Sequence, residues 1–152
     1  MKKDDVIELI PEMTDWQDAV MEPRFFAGVH GNLSLAVSYS FLFWPSFVQI
    51  GEYVVREGTT VDEIRAWEDP GRDARDIEAV LNHIHIGDIH FAEGPPETEP
   101  QLRHLGRVLT EIHRVKLARD FPQFEFEVDF NDEPGLDPID YQFTFWRVRG
   151  KR

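Results

Sequence analysis

Two runs of alternating residues near the end of the chain place the strongest limit on the fold. In the first run, acidic residues separate the apolar positions, which are Phe124, Phe126, Val128 and Phe130. Because successive strand residues face opposite sides of a sheet, this pattern predicts a half-buried strand with an acidic outer face. Residues 141–148 carry bulk on both faces, which predicts the more central strand of a pair. Residues 131–138 predict the turn of a hairpin.

Charged residues suggest how this hairpin is aligned. The second strand carries Arg147 and Arg149, and the first carries Glu125 and Glu127. We expect these basic and acidic side chains to face one another, at a gain of about 0.2–1 kcal/mol per pair.

Capping boxes predict two helices, because in each a threonine and the side chain three residues later bond each other's backbone N–H groups. The pairs are Thr60 with Glu63 and Thr98 with Gln101. The second helix is predicted to be the longer, since its apolar stripe continues almost to Pro122, where a helix has to end.

A third helix is predicted between these two. Asp73 is a suitable N-cap. The apolar residues that follow have the i, i+3, i+4, i+7 spacing of an amphipathic helix, and they are Ile77, Val80, Leu81 and Ile84. This stripe predicts a helix that reaches at least His83, with Gly87 able to end it.

Residues 33–44 fit two structures. Aromatic and aliphatic residues alternate with serines, and this composition favours a strand, which is our expectation. A helical spacing of the same apolar residues, with Asn32 as a cap, is the alternative. Residues 47–55 predict a further strand-like run, with a bulge or tight turn at Gly51.

The first thirty residues carry the least pattern. Thr14 is expected to cap a short helix through Met21, which Pro23 would end. Phe25 and Phe26 are expected to pack onto the core.

These elements predict an α+β fold in which an antiparallel sheet, including the C-terminal hairpin, packs against about three helices. With 152 residues, the chain has the usual size of one domain, so we expect a single α+β domain over residues 1–152. The sequence contains no strand–helix–strand alternation with a glycine-rich turn, which argues against a doubly wound nucleotide-binding fold.

The formal net charge is −13. The excess lies in residues 1–100, which hold twenty acids and seven bases, whereas residues 101–152 hold nine of each. Such a field repels phosphate backbones, so nucleic-acid binding is not expected, and it attracts cationic proteins or metal ions.

The chain has no cysteine, which excludes disulfides, thiolate zinc sites and cysteine nucleophiles and fits a reducing cytoplasm. Serines and a proline interrupt residues 33–50, so this stretch falls short of the roughly 20 apolar residues of a membrane span. We therefore expect a cytoplasmic protein that does not enter membranes.

One segment concentrates potential metal ligands, which are His83, His85, Asp88 and His90. Imidazoles and a carboxylate suit zinc or a similar divalent ion. On a continuing helix, however, His83 and His85 would point about 200° apart and could not share an ion. We therefore favour a polar helix end whose histidines lie near the negative pole of the helix dipole, with no resident cofactor.

Catalytic signatures such as Gly-x-Ser-x-Gly, His-Glu-x-x-His and a glycine-rich phosphate loop are absent from the sequence. Trp44 and Phe47 flank a Pro-Ser turn, where exposed aromatic rings can anchor a partner. The acidic charge and small size favour a protein-binding module, such as an inhibitor or immunity-type protein for a basic partner. A metal-binding protein or metal-dependent hydrolase using residues 83–90 is the alternative, and a homo-oligomeric scaffold is a third hypothesis.

Overall fold

The structure is a computed structural model that describes residues 6–13, 22–68, 71–90 and 97–150. Within these residues, five α-helices and two antiparallel sheets form the fold. The helices are α1 Pro23–His30, α2 Leu33–Phe43, α3 Val61–Trp67, α4 Ala74–Leu81 and α5 Glu99–Asp120. The strands are β1 Phe47–Ile50, β2 Tyr53–Arg56, β3 Ile84–His85, β4 Phe126–Phe130 and β5 Gln142–Arg147. The predicted α+β class is confirmed.

Contacts between Cα atoms divide the chain into two compact units, Met1–Phe41 and Leu42–Arg152. The first holds α1 and most of α2. The second holds both sheets and the other helices. A single domain over residues 1–152 therefore stays a prediction.

The C-terminal hairpin forms as predicted, and β5 is the central strand of the order β3–β5–β4. The largest side chains of the core come from β5 and the residue before it, Tyr141, Phe143 and Phe145. Leu109 and Leu117 of α5 cover them. The β1–β2 hairpin turns at Gly51, whose φ of 61° lies in the left-handed region that favours glycine.

The expected acid–base alignment of the C-terminal hairpin is wrong. The register places Arg147 opposite Phe126, and the Arg147 guanidinium lies 4.3 Å from the ring centroid of Phe124. Arg149 instead binds the buried carboxylate of Glu78, with Nη1 2.7 Å from Oε2. The Glu78 carboxylate is buried and accepts hydrogen bonds from both terminal nitrogens of Arg149. It is a stronger partner for Arg149 than an exposed glutamate, because water does not compete for it.

Two polar side chains, Glu78 in α4 and Asn82 directly after it, join the two sheets. Glu78 accepts hydrogen bonds from the backbone N–H groups of Val54 in β2 and Arg147 in β5, each at 2.8 Å. Asn82 donates to the carbonyls of Val54 and Phe145. Both side chains are fully buried, and they satisfy backbone groups that a neighbouring strand would otherwise satisfy.

The same bonds end α4 earlier than the apolar stripe predicts. The helix stops at Leu81, because the side chain of Asn82, its C-cap, is held by the two sheets. The chain then extends, and Ile84 pairs with Phe143 as part of β3. The prediction of a helix through His83 is therefore wrong.

The strand expected within residues 33–44 is also wrong, since α2 occupies this segment. Asn32 caps the helix by accepting a hydrogen bond from the N–H of Leu35 at 2.9 Å. Ser38 and Ser40 donate to carbonyls of the preceding turn, so the serines are satisfied within the helix. The local cap outweighs the strand-like composition.

Both predicted capping boxes are present at the starts of α3 and α5. The helix expected from Thr14 to Met21 lies outside the described residues. Pro23 is the first residue of α1, a position in the first helical turn that suits proline. Phe25 is exposed, contrary to the expectation, and Phe26 is half-buried, with its ring stacked on His30 at a centroid distance of 4.4 Å. None of the helices in the described ranges has the length and apolar character needed to cross a bilayer.

Candidate partner-binding surface

Helix α2 is apolar on two opposite faces. Leu35, Tyr39 and Leu42 are half-buried on one face, and burial raises the pKa of the Tyr39 hydroxyl. Leu33, Val37 and Phe41 recur every four residues and define the other face, which we name the α2 stripe. Their exposed fractions are 85%, 62% and 73%.

An exposed apolar stripe of this kind is unusual for a surface helix. Surface helices usually turn a charged or polar face to solvent, and a helix that is apolar all round is usually buried. The α2 stripe extends about 12 Å along the helix. The stripe is therefore a candidate contact surface.

The sequence on either side of the α2 stripe contains no acidic residue, lysine or arginine. Residues 25–51 contain no Asp, Glu, Lys or Arg, although 30% of the chain is charged. This gap in the charge pattern is the signal that our sequence interpretation did not use. It leaves a neutral apolar helix in an otherwise acidic protein.

The two aromatic residues predicted to bind a partner are placed differently from each other. Trp44 is half exposed, and the cationic groups of Lys116 and Arg119 lie 5.5 and 5.4 Å from its ring centroid. Phe47 is buried, with its ring against His113 and Phe145. Only Trp44 of the pair is thus presented at the surface, and its role in binding stays a prediction.

The predicted metal ligands are partly brought together. The rings of His83 and His85 lie 5.1 Å apart between centroids and are nearly perpendicular. Asp88 lies in a short 3-10 turn, and His90 follows it, both exposed. In the described ranges, no three His, Cys, Asp or Glu side chains are grouped closely enough to hold a metal ion together.

His113 lies in the hydrophobic core, with its ring against those of Phe47 and Phe143. It is 1% exposed, and its Nδ1 lies 2.8 Å from the carbonyl of Leu109. Burial lowers the pKa of His113 to about 4, with a further lowering contribution from the positive charge of Arg56 and an opposing one from the hydrogen bond to Leu109 already included. His113 is therefore a residue of the core and is neutral at physiological pH.

A shallow cleft of about 550 Å³ lies beside β5. Three arginines and three acids line it, so its wall carries no net charge. Arg149 is bound to Glu78, and the Arg75 guanidinium lies 4.5 Å from the ring centroid of Trp146. These contacts stabilise the fold, and the balanced charge favours no ionic ligand.

No protein-family model matches the chain, and searches of curated proteins and of solved structures found no match either.

Proposed function

We propose that this protein is a binding module whose α2 stripe receives a basic amphipathic helix of a partner protein. The observation that carries the proposal is the exposure of Leu33, Val37 and Phe41 on one charge-free helix face. Amphipathic helices bind apolar surfaces through anchors spaced in the same way. An inhibitor or immunity-type protein for a basic partner is one form of such a module.

The energetics of the stripe favour a partner that also carries positive charge. Full burial of a Leu, Val or Phe side chain gains about 1.5–3 kcal/mol. Three such residues therefore gain roughly 5–9 kcal/mol, whereas association costs an estimated 4–15 kcal/mol. The stripe alone supports weak binding, so attraction between a basic partner and the −13 chain would supply part of the affinity.

The same charge favours a protein partner over a membrane. Exposed apolar helices also bind lipid surfaces, but those helices usually carry basic residues that attract anionic headgroups. An acidic chain is repelled by such headgroups. The apolar face of a basic amphipathic helix suits the stripe, and its positive charge suits the negative electrostatic field of the chain.

A synthetic peptide with leucines on one helical face and lysines on the other is a suitable probe. We expect Val37→Asp or Phe41→Asp to weaken its binding about tenfold or more, because each loses an apolar contact. Fluorescence anisotropy of the labelled peptide measures the effect. Raising the salt from about 0.05 M to about 0.3 M should also weaken binding to the unmodified chain.

Val115→Asp is the matched control, because Val115 is 53% exposed on α5 and receives the same added charge. It should bind the peptide like the unmodified chain. Equal binding by all variants would contradict the proposal. So would sedimentation evidence that the stripe joins two copies of this chain, or preferential binding to neutral lipid vesicles.

A further inference from the structure

The end of α4 creates a pair of neighbouring histidines. Helix α4 stops at Leu81, and the chain is extended from Ile84 to His85. Residues two apart in extended chain face the same side. His83 and His85 therefore come together, with His83 exposed and His85 half-buried.

Backbone carbonyls hold both rings in one tautomer. The Nδ1 atom of His83 lies 2.5 Å from the carbonyl oxygen of Val80, and that of His85 lies 2.7 Å from the carbonyl oxygen of Ile139. A carbonyl can only accept a hydrogen bond, so each Nδ1 carries the proton and each Nε2 carries the lone pair of the neutral ring. Metal-binding histidines are usually oriented by such a bond from the other ring nitrogen.

The ring separation is compatible with one shared ion. Metal–nitrogen distances of about 2.0–2.1 Å place each ring centroid roughly 3.2 Å from the metal. For nitrogen–metal–nitrogen angles between a right angle and a tetrahedral angle, the centroids then lie roughly 4.5–5.2 Å apart. The observed separation of 5.1 Å falls within this range.

We infer that His83 and His85 form a two-histidine site for a first-row divalent cation of the zinc, nickel or copper type. Imidazole nitrogen suits these ions, whereas magnesium and calcium prefer oxygen ligands. The negative C-terminal end of α4 and the acidic chain both favour a cation here. Water fills the remaining coordination positions. This site is independent of the α2 stripe.

Calorimetric titration of tag-free protein with Zn²⁺ tests the site. We expect one ion per chain with micromolar affinity, and a loss of about tenfold or more in His83→Ala. His85→Asn should lose binding equally, although its amide can still donate to the Ile139 carbonyl and preserve the fold. His104→Ala is the control and should bind like the unmodified chain, and thermal unfolding should show that all variants are folded.

Three results would overturn the inference. The first is no binding at about 100 μM Zn²⁺, a concentration well above the micromolar dissociation constant expected. The second is equal affinity for Mg²⁺, and the third is loss of Zn²⁺ binding in Asp88→Ala. Equal affinity for Mg²⁺ would indicate surface carboxylates rather than imidazoles. Loss in the Asp88 variant would indicate a wider ligand group than the two histidines.

Discussion

At the scale of single residues, Glu78 accepts more hydrogen bonds from other elements than its position in an amphipathic helix suggests. Its carboxylate accepts hydrogen bonds from two strands and from the Arg149 guanidinium while fully buried. Removing one member of a buried ion pair leaves the other charge uncompensated, which costs about 3–5 kcal/mol. Glu78 is therefore a stabilising residue of the fold.

We expect Glu78→Ala to lower the free energy of unfolding by about 3–5 kcal/mol in urea denaturation, because Arg149 and two backbone N–H groups lose their acceptor. Glu111→Ala, at an exposed position on α5, should change it by at most about 0.5 kcal/mol. A loss below about 1 kcal/mol for the Glu78 variant would show that the carboxylate is not the link between the sheets.

His113 should make the stability of the protein depend on pH. Its folded pKa is about 4, below the roughly 6.5 of an unfolded histidine, so the unfolded chain binds more protons between these values. The contribution of His113 is complete above the unfolded pKa and is lost as the pH falls towards the folded one. Between pH 7 and pH 5 we expect a loss of about 2 kcal/mol.

Urea denaturation at the two pH values measures this loss. His113→Gln removes the titrating group, so its unfolding free energy should fall by about 2 kcal/mol less over the same interval. His104→Gln, at a partly exposed position on the same helix, should keep the dependence of the unmodified chain. Identical pH dependence in all three proteins would contradict a neutral, buried His113.

At the scale of elements, the contact between α5 and β4 depends on a glycine. A Cβ atom added at Gly106 would overlap the ring of Phe130. Alanine usually stabilises a helix interior by about 1 kcal/mol relative to glycine, but overpacking costs about 1–3 kcal/mol. Helix α5 can therefore lie this close to the sheet only because residue 106 has no side chain.

We expect Gly106→Ala to destabilise the protein by up to about 2 kcal/mol in chemical denaturation, because the overpacking cost exceeds the gain in helix propensity. Gly28→Ala is the matched control, since it also lies within a helix and its added Cβ would meet nothing within 4 Å. Adding Phe130→Leu should restore part of the stability lost. A stabilised Gly106→Ala variant would show that the ring moves aside without cost.

The elements that could be predicted from sequence are those with local signals. The capping boxes at Thr60 and Thr98 specify helix starts through side chains three residues apart. The end of α4 could not be predicted, because Asn82 is held by strands far away in sequence. For residues 33–44 the composition favours a strand, but the Asn32 cap decides for the helix, which was the alternative.

At the scale of the whole molecule, the C-terminal hairpin and its central strand were predictable from alternation alone. The third strand of that sheet and the link through Glu78 were not, because both depend on long-range contacts. The candidate surfaces divide in the same way. The two histidines are visible in the sequence, but only the extended chain at Ile84 in the structure shows that their rings lie together. The α2 stripe could be recognised only once residues 33–43 were known to be a helix.

We propose that the α2 stripe is the surface at which this acidic protein binds a basic helix. Titrating isotope-labelled protein with the leucine–lysine peptide, and following the backbone amide resonances, tests it most directly. We expect the largest shifts within residues 33–41, with smaller ones at Trp44. Shifts centred on β4 and β5, or on α5, would contradict the claim, as would the absence of any saturable change.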